Sequence, residues 1–330
     1  MRVRRIAREL FRAFKPQRPH PAILMYHRVS ALPKDPWDLA VDPALFEAQM
    51  AFLRSQRTPM AMDELVERLQ SKTLPADAVA VTFDDGYLDN LVNAKPVLEK
   101  FAVPATVFVS TGFTDSSTPF WWDELAGMIL ESSGPAELQV TVPETALTLA
   151  WGQPERADCD ASWKGWDIPR TARQRCHVAI WRALQSATEA QRADTFRVLR
   201  GAFKAPADPL GLPMTAAQLQ ELVAGSLVSI GGHTVSHRAL TELDRSTSRL
   251  EIKAGGAQCR ALTGLPVNGF AYPYGNFDSE VSRDVAQSDF SWACTTEAQF
   301  LDDGHPRLFE LPRIAVTNSP MRVFIRSIFD

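Results

Sequence analysis

Val79-Ala80-Val81-Thr82-Phe83-Asp84-Asp85-Gly86 is the stretch from which the chain is best read. Five apolar or β-branched residues run into two adjacent carboxylates and a glycine. Such a short apolar run suits a strand buried on both faces of a parallel sheet. Gly86 permits a sharp exit from it. Ligand sites in parallel α/β folds gather at the carboxyl ends of strands, so Asp84 and Asp85 are expected side by side in a site. Two like charges there repel unless a cation or a proton intervenes. Taken alone, Asp-Asp-Gly reads first as an ordinary solvated turn. The surrounding chain has to decide between the two.

Upstream, residues 22–29 (Ala-Ile-Leu-Met-Tyr-His-Arg-Val) read as the first buried strand, with Tyr26 and His27 at its end. Residues 32–40 read as a loop. Asp42 as N-cap and Pro43 in the first turn open a helix with Leu45, Phe46, Met50 and Leu53 on one face. A second helix is expected over 62–69, with Asp63 and Glu64 in its first turn. Downstream, a helix over 88–101 leads to a strand over 105–110. The alternation of strand and helix implies a parallel α/β architecture. It resumes near residue 213 with helices over 215–223, 244–262, 278–286 and 319–329. Strands are expected over 227–231, 267–272 and 290–293.

The stretch at about 114–213 breaks this rhythm. It carries Phe120-Trp121-Trp122, a hairpin pattern over 138–149 and helical patterns over 172–187 and 189–202. Six of the eight tryptophans fall in it: Trp121, Trp122, Trp151, Trp163, Trp166 and Trp181. It reads as a large, mostly helical insertion of the kind that builds a lid or substrate wall. Its aromatics either stack on sugar rings or, for most of them, form the insertion's own core. The organisation expected is a basic arm over 1–20 and an α/β domain over 21–330, interrupted at about 114–213.

Composition narrows the function. The 330 residues are 45% hydrophobic with net charge -4, which suits a globular chain with a full core and gives no support for a nucleic-acid partner. Cys159, Cys176, Cys259 and Cys294 form no Cys-x-x-Cys pair, so a structural zinc site or disulfide framework is not expected and a reducing compartment fits. The arm is basic, with Val3, Ile6, Leu10 and Phe14 at helical spacing. It lacks the apolar core of a signal peptide, and no segment is long enough to span a bilayer. Either it lies on an anionic membrane surface, giving peripheral contact through residues 1–18, or it is a frayed or docked helix. A cytoplasmic location, with the inner membrane as a peripheral alternative, is the expectation.

His233 and His237 stand four apart directly after a predicted strand, a spacing that lets two imidazoles converge on one ion. With one of the two aspartates they make a three-ligand site with open positions. The other aspartate then stays free as a base. The set suits one divalent ion, zinc first, with cobalt and nickel as substitutes.

Here the chain resembles a known family. Thr82-Phe83-Asp84-Asp85-Gly86, His233-Thr234-Val235-Ser236-His237 and Ala271-Tyr272-Pro273-Tyr274-Gly275 match, in order, three motifs of the polysaccharide deacetylases, the NodB-homology carbohydrate esterases. The resemblance implies a distorted (β/α)7 barrel that removes N-acetyl, or in some members O-acetyl, groups from sugars such as chitooligosaccharides or exopolysaccharides. It implies that Asp85, His233 and His237 hold the metal, that Asp84 is the general base, and that the backbone N–H of Tyr274 binds the oxyanion. Pro273, Tyr274 and Trp292 would contact substrate, Trp292 either lining a pocket for the acetyl methyl or filling barrel core.

The chain departs from the family pattern twice. The late histidine that would serve as acid is only His305, in a predicted turn. Met25-Tyr26-His27 is similar to the circularly permuted poly-N-acetylglucosamine deacetylases, which place that histidine on the first strand, so His27 is preferred over His305. Ala271 stands where the third motif supplies an arginine to the catalytic aspartate. Arg313, in Leu311-Pro312-Arg313, is expected to replace it from another strand end. Two alternatives stand beside this reading: a deformylase or deacetylase of a lipid-linked sugar, and a non-catalytic carbohydrate-binding protein on the same fold.

Overall fold

The computed structural model describes residues 19–132, 135, 137–143, 145–150, 162–203, 211–302, 304 and 306–329. The arm up to residue 18, Trp151, Cys159 and His305 lie outside the described residues. The chain divides into two compact units. One takes residues up to Ala31, Leu39–Asp115 and Met214 onward; the other takes Leu32–Asp38 and Ser116–Pro213. The segment read as a simple loop at 32–40 therefore belongs in large part to the second unit.

The first unit opens with β1 (Ala22–Tyr26) and β2 (Arg28–Val29), then β3 (Ala40–Val41), α1 (Pro43–Gln56), β4 (Thr58–Pro59), α2 (Met62–Gln70) and β5 (Ala78–Phe83). A π-helical turn (Asn90–Ala94) runs into α3 (Lys95–Phe101), and β6 (Ala105–Val109) follows. Where the sequence suggested one strand over 22–29 there are two, parted at His27. The run expected as a helix over 88–101 is helical throughout, with the π turn at Asn90–Ala94 set inside it.

In the second unit, α4 (Trp121–Ala126) is followed by a hairpin of β7 (Glu137–Val142) and β8 (Thr145–Ala150), then α5 (Ala172–Leu184) and α6 (Glu189–Ala202). Thr171 with Gln174 and Thr188 with Gln191 form capping boxes at the two later helices. Trp121, Trp122 and Trp163 are buried, and Trp37 stacks on Trp181 at 3.9 Å between ring centroids. The described tryptophans thus serve mainly as the unit's own core; Trp166, 62% exposed, is the exception. Buried Glu124 accepts two bonds from the Arg200 guanidinium, both at 2.7 Å.

The first unit then continues with α7 (Ala216–Val223), β9 (Val228–Gly232), α8 (Arg245–Thr263), β10 (Gly269–Ala271), α9 (Ser279–Ala286), β11 (Trp292–Cys294), β12 (Ile314–Ala315) and α10 (Met321–Ser327). Its parallel strands lie in the order β11-β10-β9-β6-β5-β1-β12, with β4 added beside the start of β5. Leu311 bridges Cys294 of β11, and Ile314 pairs with Leu24 of β1, so one short segment touches both edges of the sheet. The sheet curls into a distorted (β/α)7 barrel. Ile23, Ala80, Phe108, Ala271 and Trp292 belong to one buried cluster. Leu24, Val79, Val81, Val107 and Phe270 belong to another that includes Phe46 and Met50 of α1. The period of two along each strand explains why these runs are apolar throughout: both faces are covered.

The ladder runs one bond past the strands. Asp84 N–H donates to Tyr26 C=O at 3.0 Å, and His233 N–H donates to Val109 C=O at 3.1 Å. His27, Asp84, Asp85 and His233 thereby stand at the carboxyl edge of neighbouring strands. Among the described residues no helix is long and apolar enough to cross a membrane.

Candidate active site

Asp85 has φ 74° and Gly86 has φ 91°, two left-handed residues in succession at the end of β5. An aspartate tolerates that region better than most side chains, and glycine adopts it freely. The reversal turns Asp84 and Asp85 toward different neighbours. Both are buried.

Asp85 faces the two histidines. Its Oδ1 lies 3.3 Å from His237 Nε2 and 3.6 Å from His233 Nε2. One ligand atom from each residue lies within 4.8 Å of the others. His233 Nδ1 is 2.7 Å from the Ala271 carbonyl. A carbonyl only accepts, so Nδ1 carries the proton, and in the neutral ring Nε2 turns its lone pair toward Asp85. The Asp85 Oδ1 atom is buried and has no hydrogen-bond partner among the described residues. An orphaned carboxylate oxygen between two imidazoles is costly unless a cation completes it. The three side chains fit a divalent ion with positions left open.

The loop carrying the histidines is held from behind. Thr234 (φ 66°) and His237 (φ 50°) are both left-handed. His237 N–H donates to Thr234 Oγ1 at 3.0 Å, and Ser110 Oγ donates to the His233 carbonyl at 2.8 Å. Glu251 of α8 accepts the N–H groups of Val235 and Ser236, both at 2.9 Å, and the Ser236 hydroxyl at 2.5 Å. Nothing in the motif itself pointed to Glu251. Its only sequence signal is a helix passing behind the histidine loop.

Asp84 faces the other way, onto Arg313. The guanidinium donates from Nη1 to Oδ1 at 2.6 Å and from Nη2 to Oδ2 at 2.8 Å. It also donates from Nε to the Thr295 carbonyl at 2.8 Å and from Nη1 to Thr82 Oγ1 at 3.2 Å. Arg313 is fully buried. It precedes β12 and so approaches from the beginning of a strand, through the barrel interior, not from a strand end as its sequence context suggested. Burial alone would raise the Asp84 carboxyl. The Arg313 charge and bonds, with His233 and His27 adding to them, outweigh burial and bring it down to about 2. Asp84 is therefore ionised throughout the neutral range.

His27 Nε2 lies 3.9 Å from Asp84 Oδ2, with the imidazole about one-fifth exposed. Tyr274 is left-handed (φ 59°, ψ 9°), and its ring meets His237 edge to face at 4.4 Å. Pro273 is buried beside it. Trp292 is a correction. It begins β11 in register with Gly269, where the opposite ends of the strands meet, and its indole N–H donates to Asp63 at 2.8 Å. It packs against Phe108 and fills barrel core, so it lines no acetyl pocket at this edge. Cys294 is buried near Asp84 and Arg313, and burial pushes its thiol up to about 12, which leaves it inert.

A family model described as polysaccharide deacetylase matches residues 71–139 and 181–292, together more than half of the chain. YxkH of Bacillus subtilis (strain 168), a polysaccharide deacetylase by name, is 34% identical over 143 residues, which are 41% of this chain and 48% of that protein. The chain thus spans about half the length of this curated relative. Among solved structures, the Streptococcus pyogenes deacetylase PplD in complex with acetate superposes with TM-score 0.60 at 17% identity, covering 96% of this chain and 100% of that one. IcaB from Ammonifex degensii superposes with TM-score 0.57 at 19% identity, covering 95% and 97%.

Proposed function

The chain belongs to the polysaccharide deacetylase family, and from that premise we propose that it is a metal-dependent hydrolase that removes N-acetyl groups from a sugar polymer. The observation that carries this reading is the division of the aspartate pair: Asp85 faces His233 and His237, while both carboxylate oxygens of ionised Asp84 accept from Arg313, whose guanidinium also reaches Thr82 and Thr295. Asp85, His233 and His237 would hold the ion, with zinc the first candidate for an N2O ligand set. A divalent ion there would polarise the acetamide carbonyl and acidify a water, which is the kind of water that a base as weak as Asp84 can deprotonate.

The remaining steps belong to the side chains. Asp84 takes the proton of the attacking water on a lone pair that Arg313 leaves unused, and Arg313 keeps the carboxylate aimed. The left-handed turn at Tyr274 supports the assignment of its backbone N–H to the developing oxyanion. An amine leaves poorly unless protonated. His27, within 4 Å of Asp84 and open to solvent on one side, supplies that proton as imidazolium.

Protein loaded with zinc, cobalt or nickel is expected to release acetate from N-acetylated chitooligosaccharides or a related glycan. Asp84→Asn is expected to abolish turnover and keep the metal; Asp85→Asn is expected to lose the metal. If both variants keep metal and activity, the division of roles is wrong. If no metal form deacetylates any member of a broad panel of acetylated sugars, the enzymatic reading is.

A further inference from the structure

The stretch that carries the aspartates continues as Tyr87-Leu88-Asp89-Asn90, and its polar side chains reach back to the break between β1 and β2. Asn90 Nδ2 donates to the His27 carbonyl at 2.8 Å and to Asp89 Oδ1 at 3.1 Å. Asp89 Oδ1 also accepts the Val29 N–H at 3.1 Å, and Asp89 Oδ2 accepts Arg28 Nε at 2.9 Å. Asn93 Nδ2 donates to the Val29 carbonyl at 2.7 Å. Arg28, Asp89 and Asn90 are all at least 99% buried, and the Arg28 guanidinium lies 4.7 Å over the Tyr87 ring.

Such an arrangement needs a reason. A buried ion pair is weak evidence for stability, because its desolvation offsets most of its attraction. A strand that simply ended would leave backbone groups for water to satisfy. Here three backbone groups, His27 C=O, Val29 N–H and Val29 C=O, are bonded by side chains from one helical turn. That turn is a π turn, which recurs at functional sites because it re-aims side chains that a regular helix would spread. Fixing the peptide planes after His27 fixes the direction of its Cα–Cβ bond. The ring is thereby held 3.9 Å from Asp84, which lies six residues before Asn90 in the same segment.

We propose that Asn90, backed by Asp89 and Asn93, is a positioning residue that holds the His27 imidazole where it delivers its proton to the leaving nitrogen. The inference rests on the reading of His27 as the acid. In that step the C–N bond of the tetrahedral intermediate breaks and its electron pair stays on nitrogen. The proton on His27 Nε2 passes to that pair, giving a neutral amine. Asn90 touches neither substrate nor proton; it sets the distance across which the proton moves, to which such transfers are steeply sensitive.

The test compares two substrates on metal-loaded protein. An N-acetylated chitooligosaccharide needs its leaving group protonated; para-nitrophenyl acetate does not, because aryloxide leaves unaided. His27→Ala is expected to lower kcat on the amide by about 100-fold or more and to change the aryl ester by less than about threefold. Asn90→Ala is expected to show the same signature in weaker form, about 10- to 100-fold on the amide, with bound metal unchanged. A merely structural role would lower both substrates together or neither. If His27→Ala shows the selective loss and Asn90→Ala does not, this inference falls alone. If His27→Ala leaves the ratio unchanged, the reading of His27 falls and takes the inference with it. Should Asn90→Ala fail to fold, Asn93→Ala, which removes the bond to the Val29 carbonyl, carries the same comparison. A selective amide loss there supports the inference, and equal effects on the two substrates overturn it.

Discussion

Asp84 and Asp85 are neighbours with the same side chain and opposite surroundings, and the difference lies in what each one faces. Asp85 keeps a buried oxygen with no donor among the described residues, while both oxygens of Asp84 accept from one guanidinium. Arg313 is the residue on which Asp84 depends. Arg313→Ala would leave a buried carboxylate without its counter-charge, so a stability loss of about 3–5 kcal/mol is expected in chemical denaturation. Arg313→Lys keeps the charge but cannot form the fork or reach Thr295 and Thr82 together. Losing one charge-assisted bond of about 1.5–3 kcal/mol predicts a fall in kcat of about 10- to 100-fold. Metal content should stay at the level of the unaltered protein, because the hydrogen bonds of Arg313 go to Asp84, Thr82 and Thr295 and it acts on Asp85 only through its charge, which lysine keeps. Metal loss in Arg313→Lys would show that the two aspartates are not separable. Arg313 was reachable from sequence by a negative clue, the alanine at 271. Its approach from the start of β12 was not, because register and barrel curl decide that, and neither is written in local pattern.

At the scale of elements, α8 does for the histidine loop what the π turn does for His27. Glu251 satisfies two backbone N–H groups of a loop that contains two left-handed non-glycine residues. Such strain persists only where its surroundings over-determine it. Gly255, one turn further along α8, lets the helix close on that loop: a Cβ there would meet the Thr234 backbone at 2.7 Å. Glu251→Gln retains size and loses the charge and one acceptor. A weakening of zinc or cobalt affinity by about 10- to 100-fold is expected in competition with a chromophoric chelator, with kcat near normal once metal saturates. Unchanged affinity would remove Glu251 from the site. Elements with local signals were readable in advance. Asp42 and Pro43 begin α1, Thr215 caps α7, and Asp244 and Gly264 bound α8. The split of the first strand at His27 and the π turn at Asn90 were not. Both are produced by tertiary hydrogen bonds between residues about sixty apart, against a local pattern that reads as plain strand and plain helix.

For the molecule as a whole, the two units invite separate observation, because every tryptophan except Trp292 falls within the second. His177 makes that unit's stability depend on acidity. Its ring is fully buried between Trp37 and Trp163, neither ring nitrogen has a hydrogen-bond partner among the described residues, and burial pushes it down to about 3. An unfolded histidine titrates near about 6.5. Between those values the unfolded chain binds a proton that the folded unit refuses, so folding loses stability as pH falls. The contribution is fully present above about 6.5 and is lost progressively down to about 3, at a limiting slope of about 1.4 kcal/mol per pH unit. Denaturant melts followed by tryptophan fluorescence at several pH values from neutral to acid should show midpoints moving lower with acidity. His177→Phe retains a ring in the aromatic cluster and removes the titration, so its midpoints should move distinctly less over the same range. If the two proteins lose stability in parallel, acid sensitivity belongs to other groups, and His177 is only a buried ring.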